Sequence, residues 1–187
     1  MKRVTLLVVL AVFAMIGTAQ AQEKGAIEIG ADNAIGYDIT GKLADFEQPD
    51  QLFVVIPFGY WRFGFFLNEK ISIEPGVGFQ FISLTDDAGS GFTLTGTADL
   101  LYHLQPNLFV NVGGVIDLVN IDPGGAAESS TSTQFGFGAG LGYRMELVPS
   151  LYLRLGARGW YLLESEDDGL PSSIRLAGTF GFSFFTK

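Results

Sequence analysis

Residues 133–146 read TQFGFGAGLGYRME. Phe135, Phe137, Ala139, Leu141, Tyr143 and Met145 alternate with Gln134, Gly136, Gly138, Gly140, Gly142, Arg144 and Glu146. Period-two alternation puts the two sets on opposite faces of one strand. The same grammar recurs on either side. Ile71, Ile73, Val77, Phe79 and Phe81 oppose Ser72, Glu74, Gly76, Gly78 and Gln80, and Leu151, Leu153, Leu155, Tyr161 and Leu163 oppose Arg154, Arg158 and Trp160. Extended along the chain, the pattern predicts eight strands, at about 25–40, 51–66, 71–84, 92–104, 108–121, 133–146, 151–164 and 174–185.

The breaks between strands alternate in kind. Three are tight, at Asn68-Glu69-Lys70, Gln105-Pro106-Asn107 and Val148-Pro149-Ser150; four are longer and acidic, at about 41–50, 85–91, 122–132 and 165–173. Short turns at one end and long loops at the other are the signature of an antiparallel barrel of the outer-membrane type, with both termini on the periplasmic side.

The start of the chain agrees with export. Met1-Lys2-Arg3 precedes an apolar run, Val4 to Ile16, that ends in the small-residue site Ala19-Gln20-Ala21. Such an order predicts a cleaved signal peptide over residues 1–21, leaving a single barrel domain over 22–187. Loss of Lys2 and Arg3 moves the formal charge from −9 to −11. An acidic chain of this kind is a poor nucleic-acid binder. With no cysteine there is neither a disulfide framework nor a thiolate site, and one histidine leaves little for a metal.

A soluble eight-stranded barrel would carry its apolar face inward, so volume has to separate the two cases. The interior of eight strands is just wide enough for side chains to fill. Roughly 40 bulky apolar side chains share one face, too many for that interior. The other face, rich in Gly, Ala, Ser and Thr with a few charges, fits it. Twelve strand charges fall on that polar face: Glu28, Asp32, Asp38, Arg62, Glu74, Asp99, Asp117, Arg144, Glu146, Arg154, Arg158 and Arg175. Aromatic residues gather near both ends of the apolar face: Tyr37, Phe53, Phe81, Phe92, Phe135 and Tyr161 toward the loops, and Phe63, Phe65, Tyr102, Tyr143 and Phe184 toward the turns. Two girdles are expected where rings sit at headgroup level.

The last strand, Gly178-Thr179-Phe180-Gly181-Phe182-Ser183-Phe184-Phe185, resembles the terminal signal that outer-membrane barrels present to the barrel-assembly machinery, although this chain continues with Thr186-Lys187. In pattern the chain resembles the small outer-membrane β-barrel superfamily that includes the OmpA transmembrane domain, OmpX and OmpW. That resemblance implies an integral barrel in the Gram-negative outer membrane, with lipid and lipopolysaccharide around it. It also implies assembly machinery and periplasmic chaperones as biogenesis partners. No peptidoglycan-binding domain of the OmpA kind is expected after the barrel.

The residues that carry chemistry are charged. Glu28, Arg62, Glu74, Arg144, Glu146 and Arg154 fall near the turn ends of their strands, with Arg158 farther along, and predict an interior charge network that fills the lumen. Arg62 and Glu74 are expected to form an interior ion pair, facing one another directly across the turn at Asn68. The loops carry Asp45, Glu47, Asp50, Asp86, Asp87, Glu166, Asp167 and Asp168, a charge that suits either divalent cations bridging to lipopolysaccharide or simply a soluble surface. His103 points inward beside Asp99, with no serine two residues away, so a barrel enzyme using Ser and His is not expected. No cofactor is expected. Mid-strand Gly136, Gly138, Gly140 and Gly142 lack the strand-turn-helix setting of a nucleotide loop and instead leave room for Arg158 and Trp160 on the next strand. Two roles follow for such a barrel: an envelope-stabilising or surface-interaction scaffold with a filled interior, or a small pore or carrier for small solutes of the OmpW kind.

Overall fold

The computed structural model describes residues 24–40, 42–43, 46–47, 51–83, 90–122, 129–165 and 168–186, with 42–43, 46–47, 51–58, 82–83 and 121–122 described by backbone alone. Its strands are β1 (Ile27–Thr40), β2 (Lys42–Leu43), β3 (Phe46–Glu47), β4 (Gln51–Asn68), β5 (Ile71–Ser83), β6 (Ser90–Gln105), β7 (Leu108–Asp122), β8 (Ser130–Val148), β9 (Leu151–Leu162) and β10 (Ser173–Thr186). The eight long strands close into an antiparallel barrel in which β1 pairs with both β4 and β10. The pair β2–β3 forms a miniature hairpin inside the first long loop, a feature too short to carry a periodic signal in sequence.

Each tight turn is two residues long, closed by Asn68↔Ile71, Gln105↔Leu108 and Val148↔Leu151, and each is preceded by a register shift on the incoming strand. At the first, the Lys70 N–H donates to Asn68 Oδ1 at 2.8 Å, so the Asn side chain stands in for the missing backbone partner. Ser150 takes φ 70°, the left-handed conformation the third turn requires. The first strand starts and the last strand finishes at this same end of the barrel, where Ile27 pairs with Thr186.

The faces divide as alternation dictates. Phe81, Phe135, Phe137 and Leu141 are 62%, 57%, 58% and 56% exposed, whereas Arg62, Arg144, Glu28 and Asp117 are each 1% exposed. The barrel is inside-out relative to a water-soluble domain, where charged groups are rarely fully buried and wide apolar patches are rare. Of the girdle positions, Tyr37, Phe81, Phe92, Phe135, Tyr161, Phe63, Phe65, Tyr102 and Phe184 are exposed on the outer face. Tyr143 is half-buried, its hydroxyl taking a hydrogen bond from Asn107 Nδ2 at 2.7 Å. The side chain of Phe53 lies outside the described residues.

The wall is uneven at one seam. Pairing between β4 and β5 runs from Asn68↔Ile71 to Tyr60↔Gly78, while β5 stays paired with β6 up to Ser83↔Ser90. On its other side β4 changes register against β1 between Asp32 and Ala34, which meet Tyr60 and Val55. The stretch in between includes Pro57, which has no N–H for a ladder.

Candidate functional site: the charged lumen

Near the turn end, five strands aim six charged groups at one another. β1 supplies Glu28 and Asp32, β4 Arg62, β5 Glu74, β8 Arg144 and β9 Arg154. Arg62 donates from Nε to Asp32 Oδ2 at 2.6 Å, from Nη2 to Asp32 Oδ1 at 2.9 Å and from Nη1 to Glu28 Oε1 at 3.0 Å. Arg144 reaches Glu28 from Nε at 3.0 Å and Nη2 at 2.5 Å. Arg154 makes a two-pronged contact with Glu74, at 2.5 and 2.8 Å. Planar guanidinium forks match carboxylates in this way, which is why Arg and not Lys serves here. Three carboxylates meet three guanidiniums, so the cluster is formally neutral. Neutrality matters because an unpaired buried ion costs several kcal/mol.

Aromatic rings complete this end. The Phe109 ring centroid lies 4.3 Å from the Arg144 Cζ and 4.4 Å from that of Arg154. Phe66, Tyr152 and Phe185 pack beside it, with Phe66 and Phe185 5.7 Å apart and Tyr152 edge-on to Phe185 at 4.9 Å. The glycines of β8 make this possible. A Cβ on Gly142 would strike the Phe109 ring, one on Gly138 would come 2.8 Å from Trp160 Cδ1, and one on Gly140 3.1 Å from Arg158 Cγ.

Two further tiers span the barrel. In the middle Arg158 grips Asp99 from across the lumen, its Nη1 at 2.5 Å from Oδ2, and Tyr60 bonds to Thr97. Toward the loops Arg175 holds Asp38 on the neighbouring strand at 2.9 Å and Asp117 across the lumen at 2.8 Å, and Thr95 donates to Asp117 at 2.6 Å. Between these groups and the loop end lies a cavity of about 590 Å³, lined at its base by Arg62, Glu74 and Arg154 and at its mouth by Leu170 and Pro171. Gln134 ties the mouth down: its Nε2 donates to both Leu163 O and Pro171 O at 2.9 Å, while the Thr133 N–H donates to Asp168 at 2.9 Å.

His103 has a serine partner that sequence spacing conceals. Ser72, on the adjacent strand, lies with its Oγ 2.9 Å from His103 Nε2. Arg144 Nη1 stands 3.3 Å from His103 Nδ1. A guanidinium can only donate, so Nδ1 is the acceptor and the ring proton sits on Nε2, pointing at the serine. A general base for a serine nucleophile needs the opposite tautomer, with a free lone pair on Nε2. Ser72 is fully buried and His103 3% exposed, stacked 5.0 Å from Phe66, so the pair belongs to the packed interior.

Of the charges placed in the network from sequence, Glu28, Arg62, Glu74, Arg144 and Arg154 meet in one cluster, and Arg158 sits one tier up with Asp99. Glu146 does not join them. It has the inward parity but lies beyond the cluster, exposed beside the β8–β9 turn, where the strand emerges from the barrel. Arg62 and Glu74 do form the expected interior ion pair, at 3.7 Å, but the expected register that sets them directly opposite one another is corrected. Arg62 sits opposite Gly76, because the two-residue turn and the register shift before it move the hairpin by two positions. Asp32, the principal partner of Arg62, is one of the twelve inward charges but was not expected in the network. Of the acidic loop positions, Asp168 is described and already holds Thr133 and Ser165. The side chains of Asp45, Glu47, Asp50, Asp86, Asp87, Glu166 and Asp167 lie outside the described residues, as does the expected signal segment. Among the described residues no three His, Cys, Asp or Glu side chains are grouped to hold a metal ion.

No protein-family model and no curated protein matches the chain in sequence. Solved structures match it in shape. Neisserial surface protein A aligns with a TM-score of 0.58 at 14% identity, over 86% of this chain and 98% of that one. The fold is that of the small outer-membrane β-barrels. Ail, the attachment invasion locus protein of Yersinia pestis, aligns at 0.54 and 16% identity over 88% of this chain and all of its own, and the outer membrane protein OprG of Pseudomonas aeruginosa at 0.52 and 12% over 89% and 98%. At such identities the likeness carries the architecture and no activity.

Proposed function

We propose that this chain is an integral outer-membrane protein whose lumen is closed toward the periplasm, and that it serves the envelope as a stabilising or surface-interacting scaffold working from its outer face. The observation that carries the proposal is the six-charge cluster with its aromatic cap, which sits where a through-channel would have to pass. Parting those ion pairs would strand buried charges, at a cost of several kcal/mol for each. The outward belt of Phe, Leu, Val and Ile supplies the lipid contact, and β1 starts and β10 finishes at the turn side, the periplasmic side of such barrels. Under this reading residues 1–21 are removed, so the mature protein begins at Gln22, and lipopolysaccharide meets the acidic loops through divalent cations.

Planar-bilayer recording tests the closure. The wild-type protein should give no conductance steps, and Arg62→Ala combined with Arg144→Ala should introduce them. Steady ohmic steps from the wild type would instead favour the second reading, a small-solute pore, for which the cavity reaching the cluster from the loop side is the supporting feature.

A further inference from the structure

Among the described residues, the seam between β4 and β5 is the most sparsely paired in the barrel. Six ladder pairs join these strands against thirteen between β5 and β6, so the wall parts most easily along this line. Two gaps account for the difference. Pairing stops at Tyr60↔Gly78, and within the paired stretch the ladder skips Phe63 and Gly64 on β4 and Glu74 and Pro75 on β5. The inner gap has a covalent cause. The His103 N–H donates to Lys70 O, and the β5–β6 register runs unbroken from there, so the even residues of β5 turn their amides to β6 and the odd ones to β4. Pro75 is odd, and the N–H it lacks is the one that would have crossed to Phe63. The ion pairs do little to bridge the seam. The short bonds of Arg62 lead back to β1 and those of Glu74 lead across to β9, leaving 3.7 Å between the two.

What does cross the seam is Tyr60. From β4 its ring lies over the bare backbone of β5, and its hydroxyl bonds to Thr97 on β6. A Cβ on Gly76 would strike that hydroxyl, and one on Gly78 would come 2.9 Å from the ring at Cδ2, so the two glycines keep the bed of the side chain clear. We propose that Tyr60 is a strap holding the β4–β5 seam shut, and that release of its bond to Thr97 lets the wall part there, joining the loop-side cavity to the surrounding lipid. The cavity reaches this line: Gly59, Tyr60, Gly78 and Phe79 all border it, and Phe79 is also 55% exposed on the outer face. No water in the hydrocarbon replaces a missing ladder bond, so a sparse seam depends on its strap more than a full one would. The strap is one hydrogen bond between neutral groups, weak enough in net terms for the seam to open while the other strands stay paired.

Amide exchange in lipid nanodiscs tests the proposal, because β5 carries its own control. The Ile73 and Val77 amides face the seam, whereas those of Glu74 and Gly76 face β6. The odd pair should exchange faster than the even pair in the wild type. Tyr60→Phe, which keeps the ring and loses the hydroxyl, should speed the odd pair by a further threefold to tenfold or so and leave the even pair unchanged. Thr97→Val should do the same, and the double variant should go no further than either alone, since both remove one bond. Tyr60→Cys with Gly78→Cys exchanges the strap for a bond that can be made and broken: the two positions are directly opposite, and the chain has no other cysteine. Reduced, this variant should show fast odd amides; oxidised, it should return them to the wild-type rate or below. Odd amides that ignore Tyr60→Phe, an equal gain in odd and even amides, or odd amides indifferent to oxidation of the cysteine pair would each overturn the proposal. Exchange reads the wall and current reads closure toward the periplasm, so either can fail alone.

Discussion

Arg62 Nη1 stands 3.7 Å from Glu74 Oε2, yet the shorter bonds of both side chains run elsewhere: Arg62 is committed to Asp32 and Glu28, and Glu74 to Arg154. Register explains the division. Arg62 is directly opposite Gly76 on β5 and Gly30 on β1, so its guanidinium crosses bare backbone toward Asp32, while Glu74 is left to the arginine arriving from β9.

Coupling energies should follow those distances. Arg154→Ala should destabilise the barrel by about 3–5 kcal/mol through the stranded Glu74, and the double change with Glu74→Ala should recover about 1–3 kcal/mol. The cycle of Arg62 with Glu74 should give well under half that coupling. Urea unfolding in lipid vesicles, followed by the gel shift of folded protein, measures both; equal couplings would contradict the observed register.

Steric room at Gly142 should be as necessary as the charges. Gly142→Ala drives a methyl into Phe109 and should cost about 1–3 kcal/mol, and Phe109→Leu in the same chain should relieve part of it. The same unfolding measurement applies, and strictly additive losses would place Phe109 elsewhere.

On the outer face the cost of a charge should depend on depth. Leu141→Arg, mid-strand on β8, should destabilise by about 2–4 kcal/mol, whereas Leu147→Arg, beside the turn, should cost about 0–1 kcal/mol. Comparable costs at the two sites would argue against a hydrocarbon belt around the barrel.

Ser72 should be inert. A fluorophosphonate probe should leave it unlabelled in the folded protein, since His103 donates to it and both are buried. Labelling lost on Ser72→Ala would show that the tautomer is the reverse of the one assigned from Arg144.

Gln134 should govern the mouth more than the barrel. Gln134→Leu removes both bonds to the β9–β10 connection and should speed amide exchange at 168–170, with strand amides of β8 and β9 unchanged. Uniform exchange across the two strands would mean that the segment is held by other contacts.

The class of object is legible in the order of residues alone. Alternation at Phe135–Met145 sorts side chains between two faces, and the crowding of large residues on one of them decides which face is outside, because volume inside eight strands is limited. The inward direction of Arg62, Glu74, Arg144, Arg154 and Arg158 is legible from the same parity. Parity has a period of two, however, and a shift of two residues leaves it unchanged. It could not tell whether Arg62 faces Glu74 or Gly76, nor show that Ser72 reaches His103 from the neighbouring strand. It also could not say that Glu146, inward by count, lies past the end of the enclosed lumen. Those facts depend on turn length and on a one-residue bulge before each turn. The pairing of Arg154 with Glu74 and of Arg175 with Asp117 depends on barrel closure, which brings non-adjacent strands together across the lumen, and no spacing along the chain encodes that chord.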